Sequence, residues 1–326
     1  MKKNTTKELK DIENLNKNII EVKNHVNEII FGQEEVIDKI IITLLSGGHT
    51  LLVGLPGLAK TRLVRSLGTI MGLSRKRIQF TPDLMPTDIL GSEILEESTK
   101  GKRSFKFIEG PVFSQFLLAD EINRASPRTQ SALLQAMQER MVTVAGKNYE
   151  LPEPFHVLAT QNPIEQEGTY PLPEAQLDRF MFNVILDYPT YEEELEIVKQ
   201  TTVKNKVILN TIMSAEQIME CQEVITKLPV TNNVLEYAVS LVAKTRPKSE
   251  KAAEIVKQYI EWGAGPRASQ FMLMAAKCHA AINGKYAPDI EDVKAVAKPI
   301  LRHRIVMNYK AEAEGISVDQ IIESIL

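Results

Sequence analysis

The sequence predicts an α/β protein: a parallel five-stranded sheet with two inserted β-hairpins, followed by an all-helical second domain. Three observations carry that prediction. Short apolar runs at 49–53, 77–80, 115–119, 155–160 and 182–186 are separated by segments of helical length, the pattern of a parallel sheet with helices on both faces. Two stretches, 92–107 and 141–151, break the rhythm with period-two alternation around a turn containing glycine, and each reads as a hairpin. Beyond Tyr191 the strand-like runs stop and helix caps take over.

Taken in order, residues 8–30 place Leu9, Ile12, Leu15, Ile19, Val22, Val26 and Ile29 at spacings of three and four, which is one amphipathic helix leading into the turn Phe31-Gly32. The sheet and its hairpins follow. In the C-terminal part, Asn232 or Asn233 opens a helix over 234–244, Pro266 opens one that Gly284 closes, and Asp289 precedes Val293, Val296 and Ala297. A length of 326 residues suits two domains at roughly 150 residues each. The expected division is 1–190, the N-terminal helix plus α/β core, and 191–326, the helical domain.

Composition narrows the function classes. With 44% hydrophobic and 25% charged residues the chain belongs with globular proteins, not disordered or fibrous ones. The Lys-rich first ten residues lack a following apolar stretch of signal-peptide length, and the run 40–45 is too short to span a bilayer, so a cytoplasmic location is expected. Cys221 and Cys278 lie outside any Cys/His array, which gives neither a zinc site nor a disulfide framework support. A net charge of −3 denies the molecule the overall field of a nucleic-acid coating protein.

The chemistry lies in two motifs. Gly54-Leu55-Pro56-Gly57-Leu58-Ala59-Lys60-Thr61 follows an apolar strand and precedes a helix, the context of a phosphate-binding loop. Its backbone N–H groups can surround phosphate oxygens, Lys60 can meet the outer phosphates, and the Thr61 hydroxyl can ligate Mg²⁺. Ala59 stands where a last glycine is usual, and its methyl fits only if that residue keeps φ below zero. The second motif, 116–121, is a buried strand ending in two acids, of which Asp120 can hold the Mg²⁺ shell and Glu121 can orient and deprotonate a water.

Three further residues are candidates with blander readings beside them. Asn162 could bridge the attacking water and the γ-phosphate, though an Asn-Pro pair also starts an ordinary turn. Arg179 could supply charge to a transition state, or simply neighbour Asp178 on a solvated surface. Arg267, at the start of a helix where a cation is slightly disfavoured, points to a bound anion or to an inexpensive exposed side chain.

The blocks 53–61, 80–84, 110–113, Leu118-Ala119-Asp120-Glu121-Ile122-Asn123-Arg124, 159–180 and 263–269, with Leu301-Arg302-His303-Arg304 and 311–315, resemble in order and spacing the MoxR family of AAA+ ATPases. The resemblance covers nearly all of 30–315. It implies a helix-2-insert AAA+ core, with the hairpin at 92–107 as that insert, the one at 142–151 as the pre-sensor-1 hairpin, and the helical domain as a lid. It further implies Asn162 as sensor 1, Arg179 as an arginine finger reaching a neighbouring subunit, Arg267 as sensor 2, and Phe31 and Gly32 as lining for adenine. Expected cofactors are ATP and Mg²⁺. Expected partners are copies of the chain, in a ring of six, and a protein client, with a von Willebrand factor A domain protein or metal-cofactor insertion as family themes. Two other functions compete: a nucleic-acid motor, suggested by the basic tip Lys100-Gly101-Lys102-Arg103, and a scaffold that binds ATP without turnover.

Overall fold

The structure, a computed structural model, describes residues 2–55, 57–97, 103–164, 168–202 and 209–326. Pro56 and the hairpin tip at 98–102 therefore lie outside the described residues, although both figure in the sequence reading. Helix α1 (Lys2–Asn27) buries Ile12, Leu15, Ile19, Val22 and Val26 along one stripe, as their spacing predicts. After α2 (Glu34–Leu45) come β1 (Thr50–Gly54), α3 (Lys60–Ile70), β2 (Arg75–Gln79) and α4 (Pro86–Leu90). The first hairpin is β3 (Gly91–Glu97) with β4 (Arg103–Glu109), then β5 (Phe116–Asp120) and α5 (Pro127–Glu139). The second hairpin, β6 (Met141–Val144) with β7 (Lys147–Glu150), turns through Ala145 and Gly146 at φ 49° and 78°, the paired positive φ of a two-residue hairpin loop. Strand β8 (His156–Gln161), α6 (Glu174–Leu177) and β9 (Phe182–Leu186) complete this part.

Strands β1, β2, β5, β8 and β9 form one parallel sheet in the order β2-β5-β8-β1-β9. Their side chains alternate between two buried clusters: Leu52, Leu118 and Leu158 join one, while Leu51, Leu117, Val157 and Ala159 join the other. The register aligns Gln79 with Asp120 and brings Val53 level with Gln161, so the carboxyl ends of β1, β2, β5 and β8 share one edge, where ligands of open α/β sheets bind.

At the opposite ends of β1 and β8 sit two buried imidazoles. His49 Nε2 donates to the Met137 carbonyl at 3.2 Å and its Nδ1 accepts from Val157 N–H at 3.0 Å. His156 Nδ1 donates to the Gly48 carbonyl at 2.7 Å. Burial pushes His49 down to about 3 and His156 down to about 4, so both are neutral near pH 7.

The remaining elements are α7 (Tyr191–Thr202), α8 (Ala215–Lys227), α9 (Asn232–Lys244), α10 (Glu254–Tyr259), β10 (Ile260–Trp262), α11 (Pro266–Ile282), α12 (Ile290–Leu301), β11 (Val306–Met307), α13 (Tyr309–Ala313) and α14 (Val318–Ile325). Two details correct the sequence reading. Helix α9 starts at Asn232, with Thr231 in the capping position and without a side-chain capping bond, so neither asparagine is the cap. The all-helical expectation also omits the short antiparallel pair β10–β11, which closes where Gly263 lets the backbone pass Thr245: a Cβ there would lie 2.3 Å from the Thr245 carbonyl oxygen. Helix α12 begins as its Asp289 predicts, with Asp289 and Asp292 each accepting from the other's backbone N–H. Helix α1 bridges the two parts, packing on α2, α3, α8 and α11, and Asn16 Nδ2 donates to the Ile282 carbonyl at 2.7 Å. Both cysteines are buried and unbonded to one another. Among the described residues no helix is long and apolar enough to cross a membrane.

Candidate active site

The cleft at the sheet's carboxyl edge has a volume of about 480 Å³ and is lined by Gly57, Leu58, Ala59, Lys60, Thr61, Arg62, Asp120, Glu121 and Asn162. Residues from three separate strand ends thus meet in one concavity of ligand size. Gly54 ends β1 where β9 passes so close that a Cβ would lie 2.7 Å from that of Leu186. Gly57 adopts φ +87° with open space around its missing side chain. Ala59 departs from expectation: it takes the left-handed region at φ 54°, ψ 20° as the residue before α3. The loop therefore keeps a conformation suited to glycine and stores about 1 kcal/mol of strain in a methyl-bearing residue.

Lys60 Nζ donates to the Gly54 carbonyl at 2.5 Å. Burial lowers its pKa, against the opposing pull of Asp120 and Glu121. Asp120 Oδ1 accepts from the Thr160 hydroxyl at 2.6 Å, and its Oδ2 pairs with Arg77 Nη2 at 2.7 Å. Glu121 also lies in the left-handed region, at φ 57°, and its N–H donates to Thr160 Oγ1 at 2.9 Å. Gln79 Nε2 and Arg124 Nη1 both donate to Glu121 Oε2, at 2.8 and 3.0 Å. Asn162 is buried, with Oδ1 accepting from the Ile164 N–H at 3.2 Å, so the turn reading and the pocket reading hold together.

Six of the described sequence candidates lie outside this lining, of which Gly54 and Leu55 belong to the same loop just before it. Phe31 and Gly32 stand beside it: the next residue, Gln33, donates to the Leu58 carbonyl at 3.1 Å, and Gly32 at φ +69° abuts Glu193 of α7. Arg179 is half-buried, and its guanidinium has no hydrogen-bond or ion-pair partner among the described residues. Its neighbour Asp178 is engaged elsewhere, by Arg267 Nη1 at 3.2 Å and Arg304 Nε at 2.7 Å. The anion that Arg267 meets is thus a carboxylate of the core. Arg304 is almost fully buried, which lowers its pKa to about 10 against the pull of Asp178.

A model of the ATPase family associated with various cellular activities matches residues 49–182, and an AAA lid domain model matches 252–325. The Chaperone MoxR1 of Mycobacterium tuberculosis is 42% identical over 97% of this chain and 82% of its own length. A protein MoxR of Paracoccus denitrificans is 28% identical over 87% of each. A crystal structure from Cytophaga hutchinsonii superposes with a TM-score of 0.91 at 43% identity, covering 100% of this chain and 97% of the other. The chain belongs to the MoxR-like AAA+ ATPases. Every residue lining the cleft falls inside the matched ATPase segment, and Arg267 and Arg304 fall inside the matched lid. In this MoxR-like ATPase the structure adds Arg77, Gln79, Thr160 and Asp178 as supporting residues that no sequence motif marks. Strand order would have found the first three, because β2 and β8 flank β5 and place those side chains beside its acids.

Proposed function

We propose that this MoxR-like ATPase hydrolyses Mg-ATP between the subunits of a ring and uses the cycle to remodel or activate a protein client. The observation that carries the reading is the convergence of Lys60, Thr61, Asp120, Glu121 and Asn162 on one cleft. The residues fit the ligands on two counts. The loop N–H groups at the start of α3 and the half-buried Lys60 suit phosphate, and the oxygen donors Thr61 and Asp120 suit a hard divalent cation. Magnesium, when bound, supplies charge that stabilises the phosphoryl oxygens.

The chain's own residues supply the rest. Lys60 exchanges the Gly54 carbonyl for an outer phosphate, with Gly54, Leu55, Pro56, Gly57, Leu58 and Ala59 shaping the cradle around it. Thr61 and Asp120 hold the cation, and Thr160 and Arg77 orient Asp120. Glu121 takes the proton of the attacking water; because Gln79 and Arg124 both occupy Oε2, Oε1 is the atom left to receive it. Asn162 aligns that water. Phe31 and Gly32 border the base, Arg267 exchanges Asp178 for a phosphate oxygen, and Arg179 completes the site of the neighbouring copy.

A protein client suits the first hairpin, where Leu95 and Phe105 face each other in register and are both largely exposed. Its described cations are paired with its own acids, Arg103 with Glu97 and Lys106 with Glu96, which speaks against phosphate binding there. A ring of six, a von Willebrand factor A domain partner and cofactor insertion into the client belong to the same proposal, supported by the family resemblance. Replacing Glu121→Gln should leave ATP affinity nearly intact while turnover falls by about two to four orders of magnitude, whereas Lys60→Ala should lose binding. Wild-type turnover by Glu121→Gln would remove Glu121 as the base.

A further inference from the structure

The segment that carries Arg179 is held from both sides by one lid residue. Arg304, just past the C-terminus of α12, sends Nε to the Asp178 carboxylate at 2.7 Å and Nη2 to the Asp178 carbonyl at 3.0 Å and the Phe180 carbonyl at 2.7 Å. Its Nη1 reaches the Met181 carbonyl at 3.3 Å and the Ile300 carbonyl of its own helix at 2.5 Å. His303 Nε2 adds a second bond to the Phe180 carbonyl at 3.0 Å, and Arg302 Nη1 donates to the Asn183 carbonyl at 3.1 Å. The carbonyls on either side of Arg179 are therefore fixed to the end of a lid helix, while the Arg179 guanidinium itself carries no partner among the described residues.

Two features separate this grip from ordinary domain packing. The Arg304 side chain is only 2% exposed and uses its planar fork on several acceptors at once, so lid and segment move as one body. Arg267, in contrast, is 39% exposed and makes a single contact with Asp178, at 3.2 Å, which can be exchanged without loosening the Arg304 bonds.

We propose that Arg304 is a positioning residue for Arg179: it couples lid orientation in one subunit to placement of the Arg179 guanidinium, and so to turnover at the adjoining site. This rests on the reading of Arg179 as acting on a neighbouring copy. A lid that rotates as nucleotide binds or leaves drags residues 178–181 with it, because the bonds run to backbone as well as to a carboxylate. Asp178 is the charged intermediary; Arg267 is a second claimant on it whose departure leaves Arg304 in sole possession.

The test is a double-mutant cycle in the full chain, reading kcat, KM for ATP and thermal midpoint. Arg304→Lys keeps the cation and loses the fork, so kcat should fall about 10- to 100-fold, the scale of a misplacement of about 1 Å, with KM for ATP within about twofold of wild type. On an Arg179→Ala background the same substitution should cost nothing further, because its whole effect runs through Arg179. Mixing Arg304→Lys with Glu121→Gln subunits should recover activity, each supplying what the other lacks. If Arg304→Lys does not fold, Asp178→Asn, which keeps the shape but replaces the charge and one acceptor oxygen with an amide, takes its place in the cycle, with the same expectation for kcat. Losses that add on the Arg179→Ala background, or unchanged kcat in Arg304→Lys while Arg179→Ala is impaired, overturn this inference alone. Wild-type turnover by Arg179→Ala overturns the finger assignment, and this inference with it.

Discussion

Acidification between pH 6.5 and 5 should weaken the fold through its buried imidazoles. Unfolded histidine titrates near 6.5, whereas burial holds His49 at about 3 and His156 at about 4 in the folded protein. Their contribution is fully present above pH 6.5; as pH falls below it, the unfolded chain binds protons that the folded one refuses, and stability drops. At pH 5 each has lost about 2 kcal/mol, so the pair removes about 4 kcal/mol, and His303, also held well below its ordinary value by burial, acts in the same direction. Carboxylates with lowered pKa values, Glu35, Asp319 and Asp289, withdraw their support only as pH falls through the lower carboxylate range, which leaves this window to the histidines. Urea unfolding followed by circular dichroism at half-unit steps from pH 7.5 to 5 measures the slope. His156→Asn preserves a donor at the position of Nδ1 for the Gly48 carbonyl and should reduce that slope by about 1.4 kcal/mol per pH unit. A flat profile from 6.5 to 5, or an unchanged slope in His156→Asn, would refute the reasoning.

Ala59→Gly should relieve the left-handed strain at φ 54° and, after the added freedom of the unfolded chain is subtracted, raise stability by about 0.5 kcal/mol, a rise of roughly 1–2 °C in thermal midpoint. A lower midpoint would show that the alanine is unstrained. Asp292→Ala should cost about 3 kcal/mol in urea unfolding, because this fully buried carboxylate accepts from His279 at 2.7 Å, Lys285 at 3.1 Å and the Asp289 N–H at 2.8 Å. A loss below about 1 kcal/mol would mean that water replaces those partners.

What could be read from the sequence divides by distance along the chain. Gly54 to Thr61 is one continuous loop between an apolar strand and a helix, and Asp120-Glu121 ends a single apolar run, so both motifs and their strands were visible locally. The hairpins showed through period-two alternation and a glycine turn. By contrast, Arg304 lies 126 residues from Asp178, and no local pattern links them. The pair β10–β11 spans three and two residues, too few to show a period. The backbone of Ala59 is not legible in the sequence because side-chain sterics argue for negative φ, while the loop's own geometry imposes the opposite.

The position of α1 bears on how the chain is made. Its buried stripe completes itself against α8 and α11, and Asn16 meets a carbonyl 266 residues further on. At synthesis rates of about 5–20 residues per second, that partner emerges roughly 13–50 seconds after the helix does. For that interval Ile12, Leu15, Ile19, Val22 and Val26 form an apolar strip that only the nearby α2 and α3 can cover. Helix α1, made well before α8 and α11, thus completes its docking late, and ribosome-associated holdases have a defined segment to shield.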